Sequence, residues 1–235
     1  MDGARKNKER NLGLEDYTVI ILAAGLGKRL APLTHFLPKP ACPLHGEPIC
    51  VSMIKQVVAA GAKTVHINTS YLAANLEAEV RAYFAEMNPK ILPRLRFWHE
   101  PTRLETGGAI VRIWQELGKP KVKGIFVISG DIIGKVPTAE LLGAWDNRCK
   151  KTHAAMAVKR LTETRPDVTW VDSNNQLVVG FGRIKQDTAF PKDSPPDQAL
   201  FANFQIIAPE ALENVSLTHA SSTVSYTHLT LPTKA

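Results

Sequence analysis

A glycine-rich turn follows the first apolar run of this 235-residue chain. Residues 19–24 read V-I-I-L-A-A and lead into Gly25-Leu26-Gly27-Lys28-Arg29. Glycines let a backbone approach phosphate oxygens closely, and their free N–H groups form a nest for anions. Because Lys28 and Arg29 add positive charge, the turn predicts a phosphate site. On the glycines alone, a tight turn without a ligand is an equally good interpretation.

Two better-known phosphate motifs do not fit this turn. The dinucleotide fingerprint G-x-G-x-x-G needs a glycine where Leu30 stands. The P-loop needs a glycine in place of Leu22 and Ser or Thr in place of Arg29. Prolines then stiffen a loop that carries Lys39 back toward the turn. A lysine and an arginine that face one phosphate nest suit a triphosphate.

A carboxylate follows the fourth apolar run of the chain. Residues 124–129 read G-I-F-V-I-S and are followed by Gly130 and Asp131. A carboxylate is the hard oxygen ligand that Mg²⁺ prefers. Asp131 therefore predicts a Mg²⁺ site beside the phosphate nest, with a helix or turn cap as the alternative.

Four segments together resemble the sugar-phosphate nucleotidyltransferases. L-A-A-G-L-G-K-R-L-A-P-L-T followed by P-K-P is similar to the family signature G-x-G-x-R-x-x-P-L-T…P-K-P, and H-I-N-T-S-Y-L, L-E-T-G-G-A and S-G-D resemble further family elements. The resemblance covers residues 18–213 and is strongest over 18–134. The compact size is similar to that of bacterial members acting on mannose, N-acetylmuramate or heptose 1-phosphate. The resemblance leaves the sugar open, and the base open between guanine and uracil.

The resemblance implies a reaction and a set of site residues. The reaction is NTP plus sugar 1-phosphate giving NDP-sugar plus pyrophosphate, by in-line attack on the α-phosphorus. Arg29 would bind the β- and γ-phosphates, Lys39 the phosphates around the reacting centre, and Asp131 the Mg²⁺ cofactor. The nucleotide would contact Leu22, Ala23, Ala24, Gly25, Gly27, Lys28, Asn68, Glu105, Thr106, Gly107 and Gly108. For Thr106 and the two glycines after it, a simple helix start is the alternative.

The second half of the chain departs from the family pattern. Arg183 and Lys185 are candidates for the sugar phosphate, but neither is in register with the family's E-K-P-like lysine. Asn203, a third candidate, stands where the family usually has glycine, and asparagine tolerates a positive φ. The D-(V/I)-G-T element of the second metal carboxylate does not occur, and the sequence leaves the family after Glu213. We interpret this as loss of the natural C-terminus and its replacement by unrelated sequence.

The elements that must position these residues alternate along the first half of the chain. This alternation predicts an α/β fold, with a Rossmann-like, mostly parallel sheet flanked by helices and a strand-rich, sugar-binding second half. We expect a flexible leader over 1–16, a nucleotidyltransferase domain over 17–214 that divides near residue 150, and a tail foreign to the family over 215–235. Strands are predicted at 19–24, 64–69, 95–98, 124–129, 153–159, 168–172, 176–181 and 202–207, helices at 49–60, 72–84, 108–117 and 141–149, and a loop at 186–198.

Composition narrows the function classes. The chain is 44% hydrophobic with a formal net charge of +7, and no apolar run approaches the roughly 18 residues of a membrane span. Its three cysteines form no metal or disulfide pattern, so we expect a cytoplasmic protein. The positive charge is spread out, which favours small anionic substrates over nucleic acid or a membrane surface. Homo-oligomer formation is left open.

Two other functions remain open on the same fold. One is a catalytically inactive nucleotide-sugar-binding or regulatory protein, and the other is a truncated, inactive fragment. A nicotinamide-dependent dehydrogenase is disfavoured because its glycine fingerprint is not met.

Overall fold

A computed structural model of the chain describes residues 13–149, 152–162, 168–172, 174, 176–182, 196–213 and 215. The helices are α1 (Ile49–Ala59), α2 (Ala73–Met87), α3 (Glu105–Glu116) and α4 (Thr138–Asp146). The strands are β1 (Tyr17–Leu22), β2 (Pro43–Leu44), β3 (Glu47–Pro48), β4 (Val65–Thr69), β5 (Leu95–His99), β6 (Gly124–Ser129), β7 (Ala154–Arg160), β8 (Thr169–Asp172), β9 (Leu177–Phe181) and β10 (Asp197–Ile207).

The central sheet is built on four parallel strands in the order β5-β4-β1-β6. Ile21 of β1 lies opposite Ile67 of β4 on one side and Ile128 of β6 on the other. All three side chains are fully buried. Short continuous apolar runs form these strands because helices cover both faces of a parallel sheet. The sequence-based prediction of an α/β fold with a mostly parallel central sheet is therefore confirmed.

The second half of the chain extends this sheet with antiparallel strands. β10 pairs antiparallel with β6, β7 and β8, and β8 pairs antiparallel with β9. The β10–β7 register shifts between Phe201 and Gln205, around Asn203, whose φ is +63°. Asparagine is one of the few non-glycine residues that adopt this conformation readily. The strand-rich second half is thus part of the same sheet in the residues described.

Several element boundaries differ from the sequence-based ones. β1 ends at Leu22 instead of at residue 24, so Ala23 and Ala24 belong to the turn that follows it. α4 begins at Thr138, directly after Pro137, and not at residue 141. β10 begins at Asp197, within the predicted 186–198 loop, and is long because it pairs with three strands.

The helices bury their apolar faces in one core with the sheet. α1 contributes Met53 and Ile54, α2 contributes Phe84, and α4 contributes Trp145, all nearly or fully buried. Within the described residues, no helix is both long and apolar enough to cross a bilayer.

Candidate active site

A cavity of about 550 Å³ lies at the carboxyl edge of the parallel strands. Leu22 ends β1 and Ser129 ends β6, and both line the cavity. The chain places β4 and β5 on one side of β1 and then crosses to place β6 on the other. In open α/β sheets, ligands bind in the crevice where the strand order reverses in this way. The volume is typical of a small-molecule site.

The glycine-rich turn forms one wall of the cavity. Gly27 has a φ of +60°, and a Cβ there would lie 2.9 Å from the Lys39 Cβ and 3.0 Å from the Thr34 Cγ2. The Thr34 hydroxyl donates to the Gly27 carbonyl at 3.3 Å. Glycine is required here because the turn bends sharply while the following loop packs against it. The exposed side chains of Lys28 and Arg29 follow directly and line the same cavity.

Cys42 anchors the proline-rich loop that returns Lys39 to the turn. Its thiol lies 3.7 Å from the Pro38 carbonyl oxygen, and burial raises the pKa of the Cys42 thiol. A buried, protonated thiol is a packing group, because only the thiolate is a strong nucleophile.

Lys39 and Asp131 meet at the far wall of the cavity. The Lys39 Nζ lies 2.5 Å from the Asp131 Oδ2, although the residues are 92 positions apart in sequence. About a third of each side chain is exposed. Ion pairs this exposed contribute about 1 kcal/mol or less, so either partner can exchange the other for a ligand at little cost.

Asn68 ties the glycine-rich turn to the loop before α3. Its Oδ1 accepts a hydrogen bond from the Ala23 N–H at 2.7 Å, and its Nδ2 donates to the Glu100 Oε1 at 2.9 Å. The Glu100 Oε2 accepts from the Leu104 N–H at 3.1 Å. Asn68 and Glu100 are only 4% and 2% exposed. This buried chain of hydrogen bonds therefore fixes two cavity walls relative to each other.

The start of α3 forms the wall beyond this network. Glu105 begins the helix with a φ of +58°, and its carboxylate pairs with Arg103 at 2.6 Å. A non-glycine residue in this region is uncommon and is often found at binding sites. Glu105 and Thr106 line the cavity, whereas Gly107 and Gly108 are buried within the first turn of the helix.

The structure brings together most of the site residues expected from the sequence. Gly107 and Gly108 support the wall without lining the cavity, and Asn203 lies at the β10 irregularity, also outside the lining. Arg183 and Lys185 lie outside the described residues. The predicted residues that do line the cavity are Leu22, Ala23, Ala24, Gly25, Gly27, Lys28, Arg29, Lys39, Asn68, Glu105, Thr106 and Asp131.

Sequence reasoning missed two charged residues of the site, Glu100 and Arg103. Both lie in the loop between β5 and α3, and both line the cavity. Glutamate is rarely fully buried unless it is paired, so a single acidic residue in a loop carries little signal. The available clue was that Glu100 lies four residues before Leu104, directly ahead of the start of α3.

The donor set at Asp131 suits a hard divalent cation. In the described part of the chain, no group of three or more His, Cys, Asp or Glu side chains is placed to hold a metal ion. An ion at Asp131 would take its remaining ligands from phosphates and water, as Mg²⁺ commonly does. The residues present therefore fit Mg²⁺ bound together with a nucleotide.

A cavity of this size at the strand-order reversal, with cations along a glycine-rich wall, is the arrangement of nucleotide-binding α/β proteins. Comparison with known families is more specific. The chain belongs to the nucleotidyl transferase family, whose model matches residues 18–181.

Individual relatives and solved structures agree with this membership. The chain is 33% identical over 196 residues to a mannose-1-phosphate guanylyltransferase of Mycobacterium tuberculosis, covering 83% of this chain and 50% of the relative. It is 36% identical over 104 residues to an N-acetylmuramate alpha-1-phosphate uridylyltransferase of Caulobacter vibrioides, covering 44% of this chain and 42% of that protein. The matches thus span half or less of these relatives' length.

Two solved structures share the fold. HddC from Yersinia pseudotuberculosis, complexed with GMP-PN, superposes with a TM-score of 0.66 at 18% identity, over 88% of this chain and 83% of that one. A UDP-glucose pyrophosphorylase complexed with UDP-glucose superposes with a TM-score of 0.66 at 15% identity, over 91% and 86%.

Proposed function

We propose that this protein is a sugar-1-phosphate nucleotidyltransferase. The observation that carries the proposal is the convergence of Arg29, Lys39 and Asp131 on one nucleotide-sized cavity at the strand-order reversal. A phosphate oxygen of the sugar 1-phosphate attacks the α-phosphorus of the nucleoside triphosphate in line. The bond between the α-phosphorus and its bridging oxygen breaks, and the β- and γ-phosphates leave as pyrophosphate. No covalent enzyme intermediate is needed, so positioning and charge stabilisation carry the catalysis.

The glycine-rich turn holds the triphosphate in this proposal. The backbone of Gly25 and Gly27 allows close approach of the phosphates, and Lys28 and Arg29 neutralise their charge. Arg29 is exposed at the cavity edge, where its fork of N–H donors can bind the leaving pyrophosphate. This contact strengthens as negative charge accumulates on the leaving group, which is the condition for accelerating the chemical step.

Lys39 and Asp131 exchange partners when substrate binds. The Lys39 ammonium and the Asp131 carboxylate lie 2.5 Å apart and neutralise each other. The Lys39 ammonium moves to the phosphates around the reacting centre, and the Asp131 carboxylate becomes free to hold Mg²⁺. Bound Mg²⁺ would supply charge neutralisation at the phosphate oxygens. Because the ion pair is weak, the exchange costs little binding energy.

The nucleoside occupies the wall formed by Asn68, Glu105 and Thr106. Relatives named as guanylyl- and uridylyltransferases favour GTP or UTP, and their names favour mannose 1-phosphate or N-acetylmuramate 1-phosphate as the acceptor. We further propose that residues 17–214 form the transferase domain, with the sugar-binding part over 151–214. Its three cysteines without a disulfide pattern support a cytoplasmic location, which is part of the proposal.

Pyrophosphate release with Mg²⁺ tests the proposal. The assay combines each of GTP, UTP, dTTP, ATP and CTP with mannose, N-acetylmuramate, glucose and heptose 1-phosphates. We expect release with one matched pair and its loss in Asp131→Asn. Saturable nucleotide-sugar binding without release from any pair would instead identify a non-catalytic binding protein. If a folded sample shows no pyrophosphate release and no nucleotide-sugar binding, the proposed function is refuted.

A further inference from the structure

Arg103 and Glu105 place a hydrogen-bond donor beside an acceptor on one wall of the active-site cavity. The Arg103 Nη2 donates to the Glu105 Oε1 at 2.6 Å. This contact uses one N–H of the guanidinium nitrogen and one lone pair of the carboxylate oxygen, and each atom keeps a second. Among the described residues, neither side chain makes another hydrogen bond. The pair can therefore bind a ligand without separating.

The Arg103–Glu105 pair contributes little to the stability of the fold. The two side chains are 43% and 42% exposed, and ion pairs this exposed have a small effect on unfolding. Glu105 also has a φ of +58°, a conformation that costs a non-glycine residue free energy. A glycine would adopt this conformation more readily but would provide no carboxylate. These features favour a role for the two side chains in binding.

The backbone that carries the pair is held by the buried network of the active site. Leu104 lies between Arg103 and Glu105, and its N–H donates to the Glu100 Oε2 at 3.1 Å. The other Glu100 oxygen accepts from the Asn68 Nδ2 at 2.9 Å, which ties this segment to β4. Fully hydrogen-bonded buried networks make a site rigid. The donor and the acceptor are thus arranged before a ligand binds, which lowers the cost of binding.

A donor beside an acceptor complements one class of nucleobase edge. Guanine and uracil carry a carbonyl oxygen next to a ring N–H, whereas adenine and cytosine carry an amino group next to a ring nitrogen that accepts. With the first class, the guanidinium donates to the carbonyl and the carboxylate accepts from the N–H. With the second class in the same orientation, donor faces donor and acceptor faces acceptor. Both of these contacts are unfavourable.

We propose that Arg103 and Glu105 select nucleotides whose base carries a carbonyl beside a ring N–H and reject those with an amino group there. This inference rests on the proposed function, because it requires the nucleoside to lie at this wall. The phosphates bound in the glycine-rich turn fix the direction in which the nucleotide enters, so the base meets the pair in one orientation. GTP and UTP, the two nucleotides favoured above, both carry the selected edge.

Two pairs of nucleotides isolate this edge from the rest of the base. ITP and ATP share the purine ring system and differ only at the edge, and UTP and CTP form the matching pyrimidine pair. Isothermal titration calorimetry with Mg²⁺ and without sugar phosphate measures the four affinities. In the pair whose ring size the cavity accepts, we expect the carbonyl base to bind about tenfold or more tightly, the discrimination typical of a bidentate contact to a base edge.

Variants of each partner test whether the pair is the source of this preference. Glu105→Gln keeps the side-chain length, but its amide can turn to match either edge, and Arg103→Met keeps an unbranched chain without a donor. Each should reduce the preference to below about threefold. A purely structural role would instead weaken both nucleotides of a pair equally.

The ion pair between Glu77 and Arg81 on α2 provides the control. Its atoms lie 2.7 Å apart, its side chains are 40% and 45% exposed, and neither residue lines the cavity. Glu77→Gln and Arg81→Met should therefore keep the full preference.

Two results would overturn the inference and leave the proposed function standing. One is binding of both nucleotides of each pair with affinities within about threefold of each other. The other is a preference that persists in both Glu105→Gln and Arg103→Met. Failure of all four nucleotides to bind with a Kd below about 1 mM would instead refute the proposed function, and this inference with it.

Discussion

The buried Asn68–Glu100 hydrogen bond gives a sharp test of how the active site is held together. Asn68→Asp replaces the amide donor with an oxygen of the same shape, 2.9 Å from a Glu100 oxygen. Two acceptors then face each other, and the hydrogen bond to the carboxylate is lost. A hydrogen bond to a charged group contributes about 1.5–3 kcal/mol, so we expect unfolding to become easier by about that amount.

Glu100→Gln breaks the same network from the other side. The Glu100 carboxylate accepts from both the Asn68 Nδ2 and the Leu104 N–H, and an amide offers one oxygen for these two donors. One donor is left facing an N–H₂ group in a buried position. The expected cost is about 1–3 kcal/mol, the penalty for a buried group that has lost its partner.

The double variant Asn68→Asp/Glu100→Gln should restore the network by reversing it. The new carboxylate at position 68 accepts from Ala23 and from the new amide at position 100, whose oxygen accepts from Leu104. We expect stability within about 1 kcal/mol of the original chain. Because the two single losses sum to about 2.5–6 kcal/mol, this corresponds to a favourable coupling energy of at least about 1.5 kcal/mol.

Urea unfolding measures the stability of the original chain, the two single variants and the double variant. Nucleotide titration of the same four proteins measures the affinity of the cavity. Ala23 lines the cavity, and Leu104 directly precedes the lining residues Glu105 and Thr106. Each single variant should therefore also bind nucleotide about tenfold more weakly, with recovery in the double variant. Groups in direct contact couple by more than about 0.5 kcal/mol, so additive losses of stability in the double variant would refute the network. Single variants that each lower the free energy of unfolding by less than about 0.5 kcal/mol would refute it as well.

Further predictions concern the glycine-rich turn, the phosphate contacts and the buried His66 of β4. Gly27→Ala should destabilise the chain by about 1–2 kcal/mol from backbone strain alone and further from the contacts with Lys39 and Thr34. Gly46→Ala is the control, because Gly46 has a φ of +82° but a Cβ there would meet no atom within 4 Å. It introduces backbone strain without close contacts. Equal melting temperatures for Gly27→Ala and Gly46→Ala would contradict the close packing at Gly27. Arg29→Ala should lower kcat by about 10²-fold or more in the pyrophosphate assay, and a loss below about threefold would show that Arg29 does not stabilise the leaving group. Burial lowers the pKa of His66 to about 4. Between pH 6.5 and about 4, the unfolded chain binds a proton at His66 and the folded chain does not. The contribution of His66 to the free energy of unfolding should therefore decrease as the pH falls through this window. The change approaches about 3 kcal/mol at the low end of that window. His66→Gln should remove this slope in urea unfolding measured across the window, and an unchanged slope would assign it to other groups.

The residues found from sequence are those whose position follows from local chain chemistry. Gly27, Lys39 and Asp131 stand in or next to short runs whose glycines, prolines and apolar residues already determine a turn or a strand end. The carboxyl ends of parallel strands lie along one edge of a sheet, so these residues can be assigned to that edge without knowledge of the strand order. Glu100 differs, because its role depends on Asn68, which lies 32 residues away. A sequence carries no local signal for that pairing.

The strand order itself explains why the site lies at β1 and not at another strand end. The chain could have added β6 beside β5, and the same motifs would then have been spread over a wider edge. Instead β6 lies beside β1, which brings Asp131 next to the loop that follows β1 and within 2.5 Å of the Lys39 ammonium. Local propensities do not specify whether β6 is added beside β5 or beside β1, because both placements bury an apolar strand equally well. The Lys39–Asp131 contact, which joins the phosphate loop to the predicted metal ligand, therefore arises from this crossover.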